Sequence, residues 1–372
     1  MLKEIHLNNW KSFKQATLYI DPLTVLIGTN ASGKSNVLEG LEFLRRMASG
    51  ENIESALTAL RGGLEWATLK SERQFTLSVL IEAKATDYFY SLTVEIDTQS
   101  KIVNERLISI NNNKNIFQKI DEQTDKIYLY ALKESIEAAN LVINTLQNIF
   151  ILEPVPTHMR TYTPLSHKLS NDAKNIAGVL AALPDTQQTC CENILSYYAK
   201  QLPEGDIHKV WAEKVGKLNS DAMLYCEEEW VNGEITLIDA RSMSDGTLRF
   251  LAILTALLTR PSNSQLIIED VDNGLHPSRA GLLLQILQEL GRQRNIDILV
   301  TTHNPALLDN LAPEMVPFIE VAHRDNKTGT SKLTLLEDIS NLPKLLASGT
   351  LGKITTQGKL ERSLTRREAE NA

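Results

Sequence analysis

Cysteine is scarce: three in 372 residues, two of them adjacent at Cys190 and Cys191, make neither a disulfide framework nor a metal motif. Long apolar runs are missing as well. The longest, FLAILTALL at 250–258, is about half of what a membrane-spanning helix needs. The amino terminus, MLKEIHLNNW, lacks the charged-then-apolar layout of a secretory leader. A cytoplasmic protein with no membrane partner is therefore expected. Nor is there an excess of positive charge: the formal net charge is −8, which argues against coating DNA through an overall field. Only a local basic groove remains open. Internal repeats, low-complexity segments and sustained heptads are also absent, which excludes solenoids and long coiled coils.

What is present reads as an α/β protein of one large domain with an insertion, or of two or three average domains. LKEIHL and ATLYI alternate as strands, and LTVLI is the continuous apolar run of a strand buried on both faces. A glycine-rich turn at 28–33 precedes a helical pattern from Lys34 to about Met47. Strand-like alternation returns at 74–83, 88–97 and 101–110, and the Asn/Lys-rich 111–119 reads as a surface turn or loop. Residues 131–148 look helical, IFIL looks like a strand, and prolines at 154, 156 and 164 make 153–166 irregular. Helical pattern dominates 170–220. A hairpin follows over 223–239, turning at Asn232-Gly233. Helices are expected at 246–259 and 278–292, strands at 265–269 and 296–301, a short helix from Pro305 and a last hairpin over 314–337. The basic residues of the carboxyl-terminal stretch alternate with acids, so it reads as a solvated helix or frayed tail.

GTNASGKS, residues 28–35, fits G-x-x-x-x-G-K-[ST] in full. Average composition yields that pattern in roughly one or two of a hundred chains of this length. Its position between a buried strand and a helix is what the chemistry requires. Successive backbone N–H groups can curl around a phosphate, with the helix N-terminus adding a favourable dipole. Lys34 would reach the β- and γ-phosphates, and the Ser35 hydroxyl would face Mg²⁺.

Such a loop needs carboxylates at the end of a neighbouring strand, and LIIED (266–270) places two in succession. Glu269 would face the metal and Asp270 the attacking water. Shifting the register by one would put Val271 at the base position, which cannot work. Asp272 lies past the strand and reads as a turn residue; His276 beside Pro277 reads as shaping the loop. ILVTTHNP (298–305) is another buried strand, ending at His303, from which a ring nitrogen could reach the γ-phosphate. Glu in place of Asp at 269 and Asp in place of Glu at 270 each move a carboxylate by roughly 1–1.5 Å, and misplacement on that scale can cost about a hundredfold in rate.

These motifs together resemble ATP-binding-cassette-type ATPases of the SMC/RecF group and the short AAA-family relatives of the OLD proteins found in bacterial anti-phage defence. LNNWKSFKQATLYIDPLTVLIGTNASGKSNVLEGLEFL resembles their opening, ARSMSDGTLRFLAILTALL (240–258) their signature segment, LIIEDVDNGLHPSR their Walker B segment and LVTTHNPALLD their His switch. The resemblance implies an ABC-type P-loop head with a mixed central sheet, an antiparallel β subdomain and a mainly helical insertion. It divides the chain into an N-terminal lobe (1–130), a helical arm or lid (131–220), a C-terminal lobe (221–340) and a tail (341–372). It implies ATP phosphates surrounded by Gly28, Asn30, Ala31, Ser32, Gly33, Lys34, Ser35 and Asn36, and Mg²⁺ on Ser35 and Glu269. Lys11, Ser12 and Phe13 would lie near the base. Asp270 takes the base position and His303 the switch. Ser244, Asp245 and Gly246 would be donated to the opposite subunit of a homodimer, and Arg160 would contact phosphate, the partner or only solvent. No glutamine loop stands out; Gln74 and Gln118 are candidates. MSDGT in place of a transporter's LSGGQ favours the non-transport branch. The expected activity is slow ATP hydrolysis controlling a separately encoded effector such as a nuclease, because little chain follows the last expected strand. A DNA-binding maintenance ATPase and a non-hydrolysing scaffold are the alternatives.

Overall fold

The computed structural model describes all residues except 85, 98, 203–205, 231–232, 275, 277–278 and 371–372. Its amino-terminal half builds β1 (Leu2–Trp10), β2 (Phe13–Tyr19), β3 (Leu23–Ile27), α1 (Lys34–Ala48), α2 (Ile53–Thr58), β4 (Gln74–Ile81), β5 (Tyr88–Glu95), β6 (Lys101–Ser109) and β7 (Lys114–Thr124). After α3 (Tyr128–Leu132) and α4 (Glu137–Gln147) come β8 (Ile149–Leu152), β9 (Thr163–Pro164), α5 (Ile176–Ala181), α6 (Asp185–Ala199), β10 (Ile207–Val215), β11 (Asp221–Glu229) and β12 (Ile235–Asp239). The remainder is α7 (Asp245–Thr259), β13 (Ser264–Ile268), α8 (Ala280–Arg294), β14 (Ile296–Thr302), α9 (Pro305–Asp309), β15 (Ile319–Arg324), β16 (Ser331–Leu335), α10 (Leu342–Ala347), α11 (Leu351–Thr356) and α12 (Lys359–Glu370).

Among the described residues twelve strands form one mixed sheet, ordered β7-β6-β5-β4-β1-β2-β16-β15-β3-β14-β13-β8. β15, β3, β14, β13 and β8 run parallel, and the β7-to-β2 half is antiparallel. Continuous apolar strands sit where the sheet is covered on both faces. Val25, Ile27, Leu266, Ile268, Ile298 and Val300 face a core closed by α7 and α8, whereas Leu26, Ile267 and Leu299 face a second core closed by α1 and α4. The alternating strands make the antiparallel half, where Trp10, Phe43 and Phe75 pack ring against ring. A smaller sheet, β10-β11-β12 with β9 on β11, packs one face on α5 and α6.

Four local expectations change. β7 occupies most of the stretch expected to be a loop; it is an edge strand, and polar residues on a strand paired on one side only disguise the alternation. β10 lies in a stretch expected to be helical: a register shift between Ile207 and Lys209 breaks its period-2 pattern. The last hairpin begins only at Ile319, after a 3-10 turn at Pro313–Phe318. The tail is not wholly solvated. Leu351, Ile354, Leu360 and Leu364 are buried, and a Cβ on Gly352 would lie 2.1 Å from the Pro305 carbonyl oxygen, so α11 packs directly on α9. Charged neighbours mask this apolar spacing in the sequence. At the 223–239 hairpin the strands pair antiparallel and Gly233 has φ 81°, while Asn232 lies outside the described residues.

Candidate functional site

β3 delivers the glycine-rich loop at the end of the parallel strands. Gly28 has φ 152°, and a Cβ there would lie 2.3 Å from the Ala322 carbonyl oxygen. Gly33 has φ 115°, and its Cβ would strike Ser331 Oγ at 2.7 Å and Phe13 Cζ at 2.8 Å. Both positions therefore require glycine. Ala31 turns left-handed at φ 62°, and Arg324 Nε donates to its carbonyl at 2.9 Å. α1 starts at Lys34 with no side-chain cap and no acidic residue in its first turn, which leaves amide donors and the positive end of the dipole facing the loop. Lys34 Nζ donates back to the carbonyls of Gly28 (2.6 Å) and Thr29 (3.2 Å), and burial lowers its pKa against the pull of Asp270, Glu269 and Asp272. Ser32 Oγ is buried without a hydrogen-bond partner. An open cradle, a lysine held on backbone carbonyls and an orphaned hydroxyl together fit a phosphate chain.

The acids come next. β13 ends at Ile268, so Glu269 and Asp270 stand on the turn after it. Ser35 Oγ donates to Glu269 Oε1 at 2.5 Å, the pairing expected of two ligands of one hard cation. The other oxygen, Oε2, accepts from Arg61 at 3.3 Å. Asp270 sits at φ 45° and donates its N–H to Thr301 Oγ1 at 2.8 Å. Its carboxylate lies 3.6 Å from His303 Nδ1, and both side chains are open to solvent. Val271 is buried, as the register requires. Asp272 is on a turn, but its carboxylate is buried and accepts from Thr302 Oγ1 at 2.6 Å, tying the turn after β13 to the end of β14. The His276 carbonyl accepts the Arg279 N–H at 2.9 Å, and Pro277 lies outside the described residues.

Lys11, Ser12 and Phe13 brace the loop from behind. Lys11 Nζ pairs with Glu39 and donates to the Arg61 carbonyl at 2.7 Å. Asn36 Nδ2 and Ser331 Oγ each donate to Ser12 Oγ, at 2.7 and 2.8 Å. Phe13 is fully buried against Gly33, so it supports the loop from within and offers no ring face to a base. Gln74 and Gln118 lie on β4 and β7 and bond to Glu95 and Asn104, in the antiparallel half of the sheet. Neither belongs to the site.

Three residues join the site that the sequence did not single out. Arg61 follows α2 in an Arg-Gly-Gly turn and reaches both Glu269 and Glu39. Glu153 follows β8, the strand beside β13; burial raises its pKa, Glu269 and Asp270 raise it further, and Arg61 and Arg249 oppose them. Arg249, one turn into α7, is desolvated near Asp245, Glu153 and Asp270. Position at the end of the strand adjoining the acid-bearing one was the only available signal for Glu153.

The signature segment opens α7. Ser244 is its N-cap, its hydroxyl accepting from the Thr247 N–H at 3.1 Å, and Gly246 is buried in the first turn. Arg160 pairs with Asp245 Oδ1 at 2.7 Å and donates to the Met243 carbonyl at 2.7 Å. It pins both sides of the cap and is neither free nor merely solvated.

Residues 23–309 match the family described as "AAA domain, putative AbiEii toxin, Type IV TA system". The chain belongs to this family. Shorter stretches resemble curated proteins: 42% identity over 55 residues with the chromosome partition protein Smc of Methanococcus voltae (14% of this chain, 5% of that protein). The DNA replication and repair protein RecF of Thermosynechococcus vestitus is 41% identical over 49 residues, 13% of each chain. The chain therefore spans only a small part of these relatives' length. Among solved structures, the Smc head bound to the C-winged helix domain of ScpA superposes with a TM-score of 0.60 at 13% identity, covering 90% of this chain and 96% of that one. The Smc head with an extended coiled coil, bound to the C-terminal domain of ScpA from Pyrococcus furiosus, gives 0.57 at 12% identity, covering 93% and 99%. At such identities the likeness establishes the fold alone: an α/β head of the SMC type. Among the described residues no helix is long and apolar enough to cross a membrane.

Proposed function

We propose that this AAA-domain protein is an ATP-dependent switch whose two copies close face to face around two ATP molecules and open again after slow hydrolysis. The observation that carries the reading is the convergence of Lys34, Ser35, Glu269, Asp270 and His303 at one uncapped helix N-terminus. Lys34 exchanges the two carbonyls it now holds for phosphate oxygens. A Mg²⁺ ion, held by Ser35 and Glu269, would neutralise charge on the β- and γ-phosphates. Asp270 orients the attacking water and accepts its proton, and His303 donates to the γ-phosphate. Ser244 and the amides of α7's first turn serve the ATP of the opposite copy. Hydrolysis is slow because the Asp270 carboxylate is one methylene shorter than the usual glutamate. Turnover above tens per second would contradict this.

The switch is read by a separately encoded effector, such as a nuclease, in defence against phage; the toxin–antitoxin wording of the family supports this placement. Native mass spectrometry of the complex drawn from its own operon, with and without ATP, tests it. An ATP-dependent complex with a nuclease or toxin-like protein is the expected result. A second reading, a RecF-like ATPase acting on DNA, rests on the short match to RecF. Stimulation of turnover by duplex DNA, with no effector in the complex, would favour it. Absence of phosphate release in a single turnover would instead mark a scaffold.

A further inference from the structure

β12 ends the smaller sheet: it pairs with β11 on one side and with no other strand among the described residues. Trp230 N–H donates to the Glu234 carbonyl and Ala240 N–H to the Leu224 carbonyl, both at 2.9 Å. In an antiparallel pair hydrogen bonding alternates, so these two rungs turn the even-numbered residues of β12 toward β11. The N–H and C=O groups of Ile235 and Leu237 therefore point off the edge. Those same residues carry exposed apolar side chains, 58% and 60% accessible, and Trp230, just after β11, is 59% exposed. Soluble proteins guard such an edge with lysine, proline, a bulge or a covering segment, and Ile235–Asp239 contains neither lysine nor proline and pairs in unbroken register.

The surroundings say what fits. Along the outer face the rungs read Lys209–Glu227–Leu237 and Glu229–Ile235, with the stacked Trp211–Tyr225 pair next to Asp239. Asp239 and Arg241 pair with each other at 2.6 Å, which leaves Glu227 and Glu229 on this face and Glu228 and Glu234 on the other, against Lys209 and against His208, which pairs with Glu229 at 2.5 Å. Two copies of β12 laid against each other would bring two acidic arcs together, which disfavours self-pairing.

We infer that β12 is a docking edge for an extended segment of a different protein, with apolar residues at alternate positions and Lys or Arg flanking them. The segment adds as a fifth strand of the smaller sheet: its backbone pairs with Ile235 and Leu237, its apolar side chains cover theirs, and its basic residues meet the acidic arc. This surface does not depend on the nucleotide reading, because no phosphate-loop or acid-turn residue takes part.

The test measures hydrogen–deuterium exchange across 234–240 in the full chain. The probes are a short peptide with two valines at alternate positions flanked by lysines, and its counterpart flanked by glutamates. The lysine peptide should bind and slow exchange in that segment, and the glutamate peptide should not. The Ile235→Lys/Leu237→Lys variant, which places like charge on the edge, should bind the lysine peptide at least about tenfold more weakly while keeping wild-type binding of a fluorescent ATP analogue. Lack of protection by the lysine peptide, or equal protection by both peptides, would overturn the inference. So would peptide-independent protection that grows with protein concentration and disappears in the variant, since β12 would then pair with a second copy.

Discussion

Asp270 holds a left-handed backbone at φ 45°, a conformation that costs a residue with a Cβ on the order of 1 kcal/mol or more and persists because Thr301 captures its N–H. That twist aims the carboxylate beside His303 instead of along the strand. If Asp270 is the base, Asp270→Asn keeps the shape and removes the proton acceptor. Turnover should fall by about a hundredfold or more, and the ATP-bound dimer should live correspondingly longer; unchanged phosphate release would remove Asp270 from that role. Arg61 presents a different prediction. It occupies one oxygen of Glu269, the carboxylate assigned to the metal, so Arg61→Ala should lower the Mg²⁺ concentration that half-saturates nucleotide binding. A higher requirement would show that Arg61 helps the metal site form. The acids, lysine and histidine were legible because they stand at fixed offsets from buried strands. Arg61 and Glu153 were not: they arrive through tertiary contact from a turn and from a strand end with no motif. Phe13 was legible only as part of a segment, and burial reverses its expected role.

The elements explain how those side chains are held. Arg160 comes from the irregular stretch after β8 and grips Asp245 and the Met243 carbonyl across the start of α7. Arg160→Ala should leave ATP binding by the single chain intact and lower turnover several-fold through a loosened signature segment; loss of nucleotide binding in the monomer would place Arg160 elsewhere. The strand that follows the P-loop strand in the sheet, β15, carries Glu320, whose burial pushes its pKa up to about 8 while its Oε1 accepts the Tyr19 N–H at 2.6 Å. An unfolded glutamate titrates near 4.3, so between that value and about 8 the folded chain binds the extra proton. Stability from this group is full below the lower value and is lost as pH rises through the upper one. Glu320→Gln should raise the melting temperature at pH 8 and flatten its decline between pH 5 and pH 8, because the amide keeps the acceptor without titrating. An unchanged slope would show that Glu320 does not govern it. Continuous apolar strands and long amphipathic helices were readable because both cores impose their period on them. β7, β10 and the packed start of the tail were hidden by edge polarity, a register shift and interleaved charge.

At the scale of the molecule, the parallel strands gather the phosphate loop, the acids and the histidine at one end, while the smaller sheet projects its open edge from the C-terminal half. Ser244 caps α7, whereas the assigned phosphate ligands follow β3. In the proposed switch each copy would supply the phosphate loop of one site and the signature segment of the other, so that ATP would join two copies. The measurement that tests this most directly is the molar mass of the Asp270→Asn chain by size exclusion with light scattering, in Mg²⁺ and saturating ATP. The mass should double from 41.6 kDa with ATP and stay single without it. Lys34→Ala, which removes the phosphate contact, and Ser244→Arg, which blocks the signature surface, should each remain single. A chain that stays at one copy with ATP bound, or a dimer that Ser244→Arg leaves intact, would contradict the shared-nucleotide switch.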